Sequence, residues 1–223
     1  MKNHVLALRN DATAQRLSAM LKMIVADPHL HARMLNTLAR LEYVGVRKML
    51  KSRRADQLDL DGIQHIVDES IHVLRLKKAA VAVAQAPNAT VRTFDHRDTL
   101  AGDEAERYFQ DVDHAAERVL AALPETERAE GNYLLTSAVI EIRAQAFYPL
   151  YEAELRGAGS SVSVAPIMRD EDRHLQEMQA ALAAKLPACD ERLAAVLDAE
   201  GPLFAQFVDA LGAAMTSCAV ACS

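Results

Sequence analysis

Apolar residues recur every three or four positions along most of the chain, and this spacing predicts amphipathic α-helices. Asp27 can cap a helix, and Pro28 favours the first helical position. Pro124 and Pro187 stop the helices that precede them. Residues 86–102 lack the helical pattern and are predicted to form an irregular link. The predicted fold class is therefore all-α, with helices over about residues 12–26, 28–52, 59–83, 103–123, 127–155, 166–186 and 190–215.

Four of these helices carry a glutamate within an apolar stripe, and two of the glutamates are followed by a histidine three positions later. Residues i and i+3 lie on one face of a helix, one turn apart. Two lone glutamates and two Glu-x-x-His pairs are the ligand set of di-iron and di-manganese sites in four-helix bundles. The sequence therefore predicts a metal site from Glu42, Glu69, His72, Glu141, Glu171 and His174.

The spacing of the glutamates along the chain supports this prediction. Glu42 precedes Glu69 by 27 residues, and Glu141 precedes Glu171 by 30. In an antiparallel helix pair, residues at the same height are equidistant from the connecting loop. Both midpoints fall in predicted turns, so two independent hairpins would each bring their ligands level. The alternative, surface glutamates on long charged helices, does not account for this register.

Four carboxylates in apolar stripes need compensating charge. Burying one unpaired carboxylate costs several kcal/mol or leads to its protonation. Two divalent ions would balance the four carboxylates, and the two imidazoles would bind as neutral ligands. Carboxylate with imidazole suits iron or manganese, and the set lacks the thiolates of structural zinc sites. We therefore expect two iron ions, with manganese as the alternative.

Composition and charge narrow the classes of function. The 223 residues suit one domain spanning the whole chain, with a bundle core over about 28–186. The net charge of −6 argues against nucleic acid or an anionic membrane as a partner. The absence of a long apolar run and of a signal-peptide pattern favours a soluble cytoplasmic protein. The cysteines Cys189, Cys218 and Cys222 form no Cys-x-x-Cys, which argues against a rubredoxin-type centre.

The residues around the ligands resemble those of a known family. Asp68 and Asp170 directly precede the two motif glutamates, and a metal-binding histidine normally donates its second N–H to a carboxylate. The stretch that ends at His174 reads Asp-Glu-Asp-Arg-His. With it, residues 28–186 resemble the ferritin-like di-iron carboxylate superfamily, in particular its oxygen-activating members. The other motif departs from this pattern, with Ile71 in place of the arginine.

The resemblance implies a ferritin-like four-helix bundle with a long crossover and extra flanking helices. It also implies that the aspartates Asp68 and Asp170 reach across to the histidine of the opposite motif. The ligand roles that it implies are bridging for Glu69 and Glu171, terminal for Glu42 and Glu141, and completion of the coordination for His72 and His174.

Other residues on the same helices are candidate neighbours of the site. Tyr43, Tyr148 and Gln145 are hydrogen-bonding or redox-active candidates; for the two tyrosines, a core position with a satisfied hydroxyl is the alternative. Gly45 leaves space that suits a substrate or oxygen pocket, or else close helix packing. His65 precedes a motif glutamate by one turn and is a weaker candidate for an auxiliary ligand.

The sequence therefore predicts a di-iron oxidoreductase of the monooxygenase or hydroxylase type. Its partners would be dioxygen, a small or medium organic substrate and an external electron donor, and a homodimer is compatible with the pattern. Three alternatives stay open: a ferroxidase or iron-binding ferritin-like protein, a tRNA-modifying di-iron hydroxylase, and a helical interaction module. The tRNA alternative rests on a basic cluster, which comprises Arg47, Lys48, Lys51, Arg53 and Arg54.

Overall fold

The computed structural model describes residue 5 and residues 12–53, 56, 58–84 and 91–221, apart from the side chains of 219–221. This part of the chain contains seven α-helices and no strand, so the all-α prediction is confirmed. The helices are α1 (Ala12–Ala26), α2 (Pro28–Ser52), α3 (Leu60–Ala84), α4 (Gly102–Val119), α5 (Glu125–Gly157), α6 (Ala165–Lys185) and α7 (Cys189–Ala221).

The helix ends follow the signals that the sequence contains. The Asp27 side chain caps α2 by accepting hydrogen bonds from the backbone N–H groups of His29 and Leu30, at 2.8 and 3.2 Å. The pattern predicts α4 through residue 123, but the helix ends at Val119, because residues 120–122 form turns ahead of Pro124. The predicted turn at 52–57 and the link at 86–102 lie partly outside the described residues.

The described part of the link is irregular, as predicted, and is tied to α2 by buried polar side chains. The Asn36 amide donates to the carbonyl oxygens of Thr93 and Asp98, both at 2.8 Å. The Thr37 hydroxyl pairs with the backbone carbonyl and N–H of Leu100 at 2.8 Å each. These bonds satisfy backbone groups that no helix or sheet would satisfy.

Four helices surround the predicted ligands. The pairs α2–α3 and α5–α6 are hairpins with short connections; α2 also packs on α5, and α3 on α6. Helix α1 packs on α2 and α5, whereas α4 packs on α2, α5 and α7. One apolar cluster contains buried side chains from all seven helices, which binds the outer helices to the inner four. Among the described helices, none has a stretch of the length and apolarity that a membrane span requires.

Candidate metal centre

The six predicted ligands come together between the two hairpins. Their ligand atoms, with those of a seventh residue, form two groups, and within each group all atoms lie within 4.8 Å of one another. The first group is Glu42, Glu69, His72 and Glu171; the second is His65, Glu69, Glu141 and His174. Glu42 is half-buried and the others are buried. The geometry therefore offers two adjoining four-ligand positions that share the carboxylate of Glu69.

Both motif histidines direct Nδ1 into the space between the carboxylates. His72 Nδ1 lies 3.3 Å from an oxygen of Glu171 and 3.6 Å from one of Glu69. His174 Nδ1 lies 3.1 Å from an oxygen of Glu69 and 3.7 Å from one of Glu171. Each of these two glutamates thus contacts both histidines, and Glu69 also belongs to both groups.

The chemistry of these atoms fits a pair of cations. Among the described residues, several buried atoms at the centre make no hydrogen bond: one oxygen each of Glu69 and Glu141, and Nδ1 of His72 and of His174. A buried polar atom without a partner costs about 1–3 kcal/mol, so their convergence indicates a ligand that would satisfy them together. Carboxylate oxygen with imidazole nitrogen suits iron or manganese.

The outward nitrogens of the same histidines face aspartates of the opposite hairpin. His72 Nε2 lies 3.1 Å from Asp170 Oδ2, and His174 Nε2 lies 3.5 Å from Asp68 Oδ2. A carboxylate at Nε2 favours the tautomer with its hydrogen on Nε2, which leaves the Nδ1 lone pair for a metal. Of these two contacts, that of His72 with Asp170 is a hydrogen bond, whereas His174 Nε2 makes none among the described residues.

Two arginines hold these aspartates. Arg173 donates to Asp68 at 2.6 Å, and Arg75 lies 3.6 Å from Asp170. The first motif has Ile71 in place of an arginine, and that side chain is exposed. Asp170 instead lies near Arg75, one helical turn further along α3, and 3.9 Å from Arg173 of its own helix.

Burial and neighbouring charge set the protonation of the metal-free carboxylates. Burial, together with the charges of nearby carboxylates, raises the pKa values of Glu42 and Glu141 well above the ordinary value. Burial also opposes ionisation of Glu69, but the close approach of His174, His65 and His72 outweighs it and lowers the pKa. For Glu171, burial and the charge of Glu69 are outweighed by close polar contacts with Glu141, His174 and His72, and the pKa falls to about 2.

The histidines respond in the opposite direction. Burial alone would lower their pKa values, but the close carboxylates of Glu171 and Glu69 raise that of His72 to about 12 and that of His174 to about 9. Without a metal, these shifts therefore favour neutral Glu42 and Glu141, ionised Glu69 and Glu171, and protonated His72 and His174. Protons take the place that two cations would fill.

His65, which the sequence indicated only as a candidate auxiliary ligand, also lies at the centre. Its Nε2 lies 3.3 Å from Glu141 Oε1 and 3.5 Å from Glu69 Oε1. Its ring stacks on that of His174, with centroids 3.9 Å apart. Spacing of four residues from Glu69 is the available signal, because i and i+4 share a helix face. That signal is weak, since many surface histidines have the same spacing from a glutamate.

The polar neighbours expected from the sequence have different surroundings. Tyr148 is buried, and its hydroxyl donates a hydrogen bond to Glu42. Tyr43 is 42% exposed and stacks on Phe94. The expectation that its side chain lies beside the ligands is therefore wrong. Successive residues on a helix are turned by about 100°, which directs Tyr43 away from the centre.

Gln145 lies at the edge of the centre rather than within it. Its amide nitrogen donates to Asp172 of α6 at 2.6 Å. A small cavity of about 90 Å³ lies beside Gln145 and also touches Glu171. Gln145 therefore lies beside a small cavity that the ligand residue Glu171 also lines, and its described hydrogen bond is to the other helix of its own hairpin.

An apolar cavity of about 100 Å³ adjoins the ligands. Glu42, Glu69 and Glu141 lie at its wall, and a Cβ added at Gly45 would meet no atom within 4 Å. The space at Gly45 therefore belongs to a cavity and not to close helix packing. Most of the remaining lining is apolar and includes Met49, Phe109, Ile140, Phe147, Phe204 and Phe207.

A buried charged pair also borders this cavity. Arg143 of α5 donates two hydrogen bonds to Glu200 of α7, each at 2.7 Å, and the Tyr108 hydroxyl donates to the same carboxylate at 2.6 Å. The pair joins three helices through groups that are almost wholly buried. Such a geometry satisfies charges that would otherwise be costly in the interior.

Members of the basic cluster at the end of α2 are partly neutralised. Arg47 lies 3.4 Å from Glu106, Lys48 lies 2.5 Å from Asp113, and Arg53 lies 3.9 Å from Asp59. Arg54 falls outside the described residues. These contacts reduce the charge available to a phosphate backbone, which argues against the tRNA alternative.

Comparisons of the chain with protein-family models, with curated proteins and with solved structures found no match. The function of the protein must therefore be inferred from the centre itself.

Proposed function

We propose that this protein is a ferritin-like di-metal carboxylate oxidoreductase that uses dioxygen to oxidise an organic molecule. Two iron ions are the expected metals, with manganese as the alternative. The observation that carries the proposal is the pair of four-ligand groups sharing Glu69 beside an apolar cavity. Bound iron would supply the reaction with dioxygen, and an external donor the electrons.

The ligand set is asymmetric in this proposal. Glu69 belongs to both positions and Glu171 to one of them, and each contacts both motif histidines. The group with His65 contains two imidazoles, whereas the other group contains one. More imidazole and less carboxylate at one position leaves that ion with more net positive charge. The two metals are therefore expected to be inequivalent.

The protein contributes orientation, a proton and a dry space. Asp170 orients His72 through a hydrogen bond, and Asp68 lies 3.5 Å from Nε2 of His174. The Tyr148 hydroxyl holds a proton at Glu42 Oε1, at the wall of the cavity. Aromatic and aliphatic side chains around the cavity exclude water from the ligand face.

The lining of the cavity favours an organic substrate over iron as the substrate. Rings such as Phe109 and Phe147 do not compensate a hydrated cation for the loss of its water. They do stabilise an apolar molecule, since small-molecule sites are mostly apolar with a few polar groups. This favours the oxidoreductase over the ferroxidase or storage alternative.

Metal counting tests the ligand set. After anaerobic loading with Fe²⁺ and removal of excess, wild-type protein should retain about two ions per chain. Glu69→Ala removes the carboxylate common to both groups and should reduce this to well below one. The matched control Glu117→Ala changes an exposed glutamate of α4 and should still retain two. One ion or none in the wild type, or two in Glu69→Ala, would overturn the proposed centre.

Aerobic iron addition separates the oxidoreductase from an iron store. The proposal expects a small assembly that stops at about two irons per chain, whereas a store mineralises many irons inside a hollow shell. In a second arm, the loaded protein receives a chemical reductant, ¹⁸O₂ and a panel of small aromatic and aliphatic compounds. Incorporation of ¹⁸O into a product would support the proposal; a large cage with many irons per chain would refute it.

A further inference from the structure

The outer side of α3 is apolar along its length. Six large apolar side chains of this helix are exposed: Leu60 (77%), Ile63 (46%), Val67 (45%), Ile71 (38%), Leu74 (53%) and Val81 (58%). Soluble monomers rarely expose a contiguous apolar patch larger than a few hundred Å². The ligands Glu69 and His72 project from the opposite side of the helix, so the metal centre does not account for these residues.

The spacing of this stripe is that of a helix-pairing seam. Leu60, Val67, Leu74 and Val81 recur every seven residues, and Ile63 and Ile71 lie between them. A seven-residue repeat keeps one seam of a helix facing a partner helix, as in a coiled coil. Because α3 has 25 residues, the seam runs along a helix about 37 Å long.

The stripe is complementary to itself when two copies run antiparallel. With a two-fold axis between Ser70 and Ile71, residue 60 lies level with residue 81 of the other copy, and residue 67 with residue 74. A two-fold interface must match the same patch on both subunits, and this register does so with apolar pairs at those four positions, whereas Ile63 lies level with Lys78 of the other copy.

The exposed charges select the same arrangement. Asp61 flanks the seam at the start of α3, and Lys78 lies on it near the end. Antiparallel pairing brings Asp61 of one copy near Lys78 of the other copy, and this contact occurs at both ends of the helix pair. Parallel pairing would instead place like charges together, which is unfavourable.

We infer that α3 forms the interface of a homodimer by packing antiparallel against α3 of a second copy. This inference is independent of the proposed function, because the seam and the ligands lie on opposite sides of the helix. Burial of the six apolar side chains supplies the driving force, and the end charges set the direction of the pair.

Mass measurement of the full chain in solution tests the interface. Sedimentation or light scattering at micromolar concentration should give twice the chain mass for the wild type. Leu74→Glu places a charge at the centre of the seam and should give a monomer with unchanged helical circular dichroism. Met23→Glu, the matched control, alters an exposed apolar residue of α1 and should stay dimeric. A monomeric wild type, or a dimer that Leu74→Glu leaves intact, would overturn the inference.

Charge exchange tests the direction of pairing. Asp61→Lys and Lys78→Asp should each weaken the dimer about threefold or more, since each places like charges together at both ends. The double variant should recover most of the lost affinity, because the pairs are restored with reversed sign. If the double variant dimerises no better than the single ones, the antiparallel arrangement is wrong.

Discussion

Gly45 and Gly102 are both helical but have opposite surroundings. A Cβ at Gly45 would enter the cavity beside the ligands and meet nothing within 4 Å. A Cβ at Gly102 would lie 2.3 Å from Thr99 Oγ1 and 2.7 Å from Thr99 Cβ. The consequence of adding one methyl group therefore depends on the local packing and not on the residue type.

Alanine substitutions at these glycines should change stability in opposite directions. Gly45→Ala should raise the free energy of unfolding by about 0.5–1 kcal/mol, because glycine in a helix interior loses more backbone entropy on folding. Gly102→Ala should lower it by about 1–3 kcal/mol, because the side chain of Thr99 must move. Urea unfolding of the metal-free proteins measures both. A stabilised Gly102→Ala would contradict the packing described here.

At the scale of elements, Glu152 joins the two helices of the second hairpin. Its Oε2 accepts a hydrogen bond from the backbone N–H of Val164, the residue that precedes α6, at 2.8 Å. The Ser163 hydroxyl donates to the same carboxylate at 3.1 Å, and Arg156 donates at 2.8 Å. A carboxylate of α5 thus satisfies the start of α6, whose own preceding residue has no capping side chain.

Glu152→Gln should lower the free energy of unfolding by about 1–3 kcal/mol at pH 7, because it removes the charge from these hydrogen bonds. Burial alone would raise the pKa of Glu152, but hydrogen bonds from Val164, Arg156 and Ser163 outweigh it and lower the pKa. A depressed pKa stabilises the fold above the ordinary value of 4.5, and this stabilisation is lost as the pH falls through the lowered pKa.

Unfolding curves at several pH values check the Glu152 prediction. The difference in the free energy of unfolding between wild type and Glu152→Gln should be largest at pH 7 and should shrink below about pH 4.5. Glu117→Gln, an exposed change on α4, should stay within about 0.5 kcal/mol of the wild type throughout. A difference that is constant with pH would mean that the charge of Glu152 does not matter.

For the whole molecule, metal binding and folding stability are expected to be linked through protons. The pKa values of His72 and His174 are raised to about 12 and about 9 in the metal-free state, so both are protonated near neutral pH. A metal ion binds the neutral imidazole and must displace these protons. Loading should therefore release protons into a weakly buffered solution, and metal affinity should rise with pH.

Metal affinity should rise with pH, whereas the folding stability of the metal-free protein should fall. A raised histidine pKa stabilises the fold fully below the ordinary value of 6.5, and for His174 this contribution is lost as the pH rises through about 9. The gap in Tm between protein saturated with Mn²⁺ and metal-free protein should therefore widen from pH 6 to pH 9. Calorimetry measures it, with Glu69→Ala as a control without a gap. A gap that narrows with pH would contradict the linkage.

Local spacing in the sequence was sufficient to predict the helices and much of the centre. A helix repeats every 3.6 residues, so the apolar pattern, Asp27 and the prolines delimit α2 without reference to the rest of the chain. The same period places Glu69 with His72, and Glu171 with His174, on single faces. Because the ligands of each hairpin are equally far from its turn, they lie at the same height on the two helices.

Packing between distant segments decided the remaining features. The sequence does not distinguish His65, which reaches the centre, from Tyr43, which is turned outward, because both lie within four residues of a ligand. The cavity arises because all of the helices except α1 contribute to its wall without filling the space at Gly45. Likewise, α3 has apolar residues on two sides, and its neighbours α2 and α6 cover only one of them. Local periodicity describes a single helix, whereas burial depends on which helices pack against it.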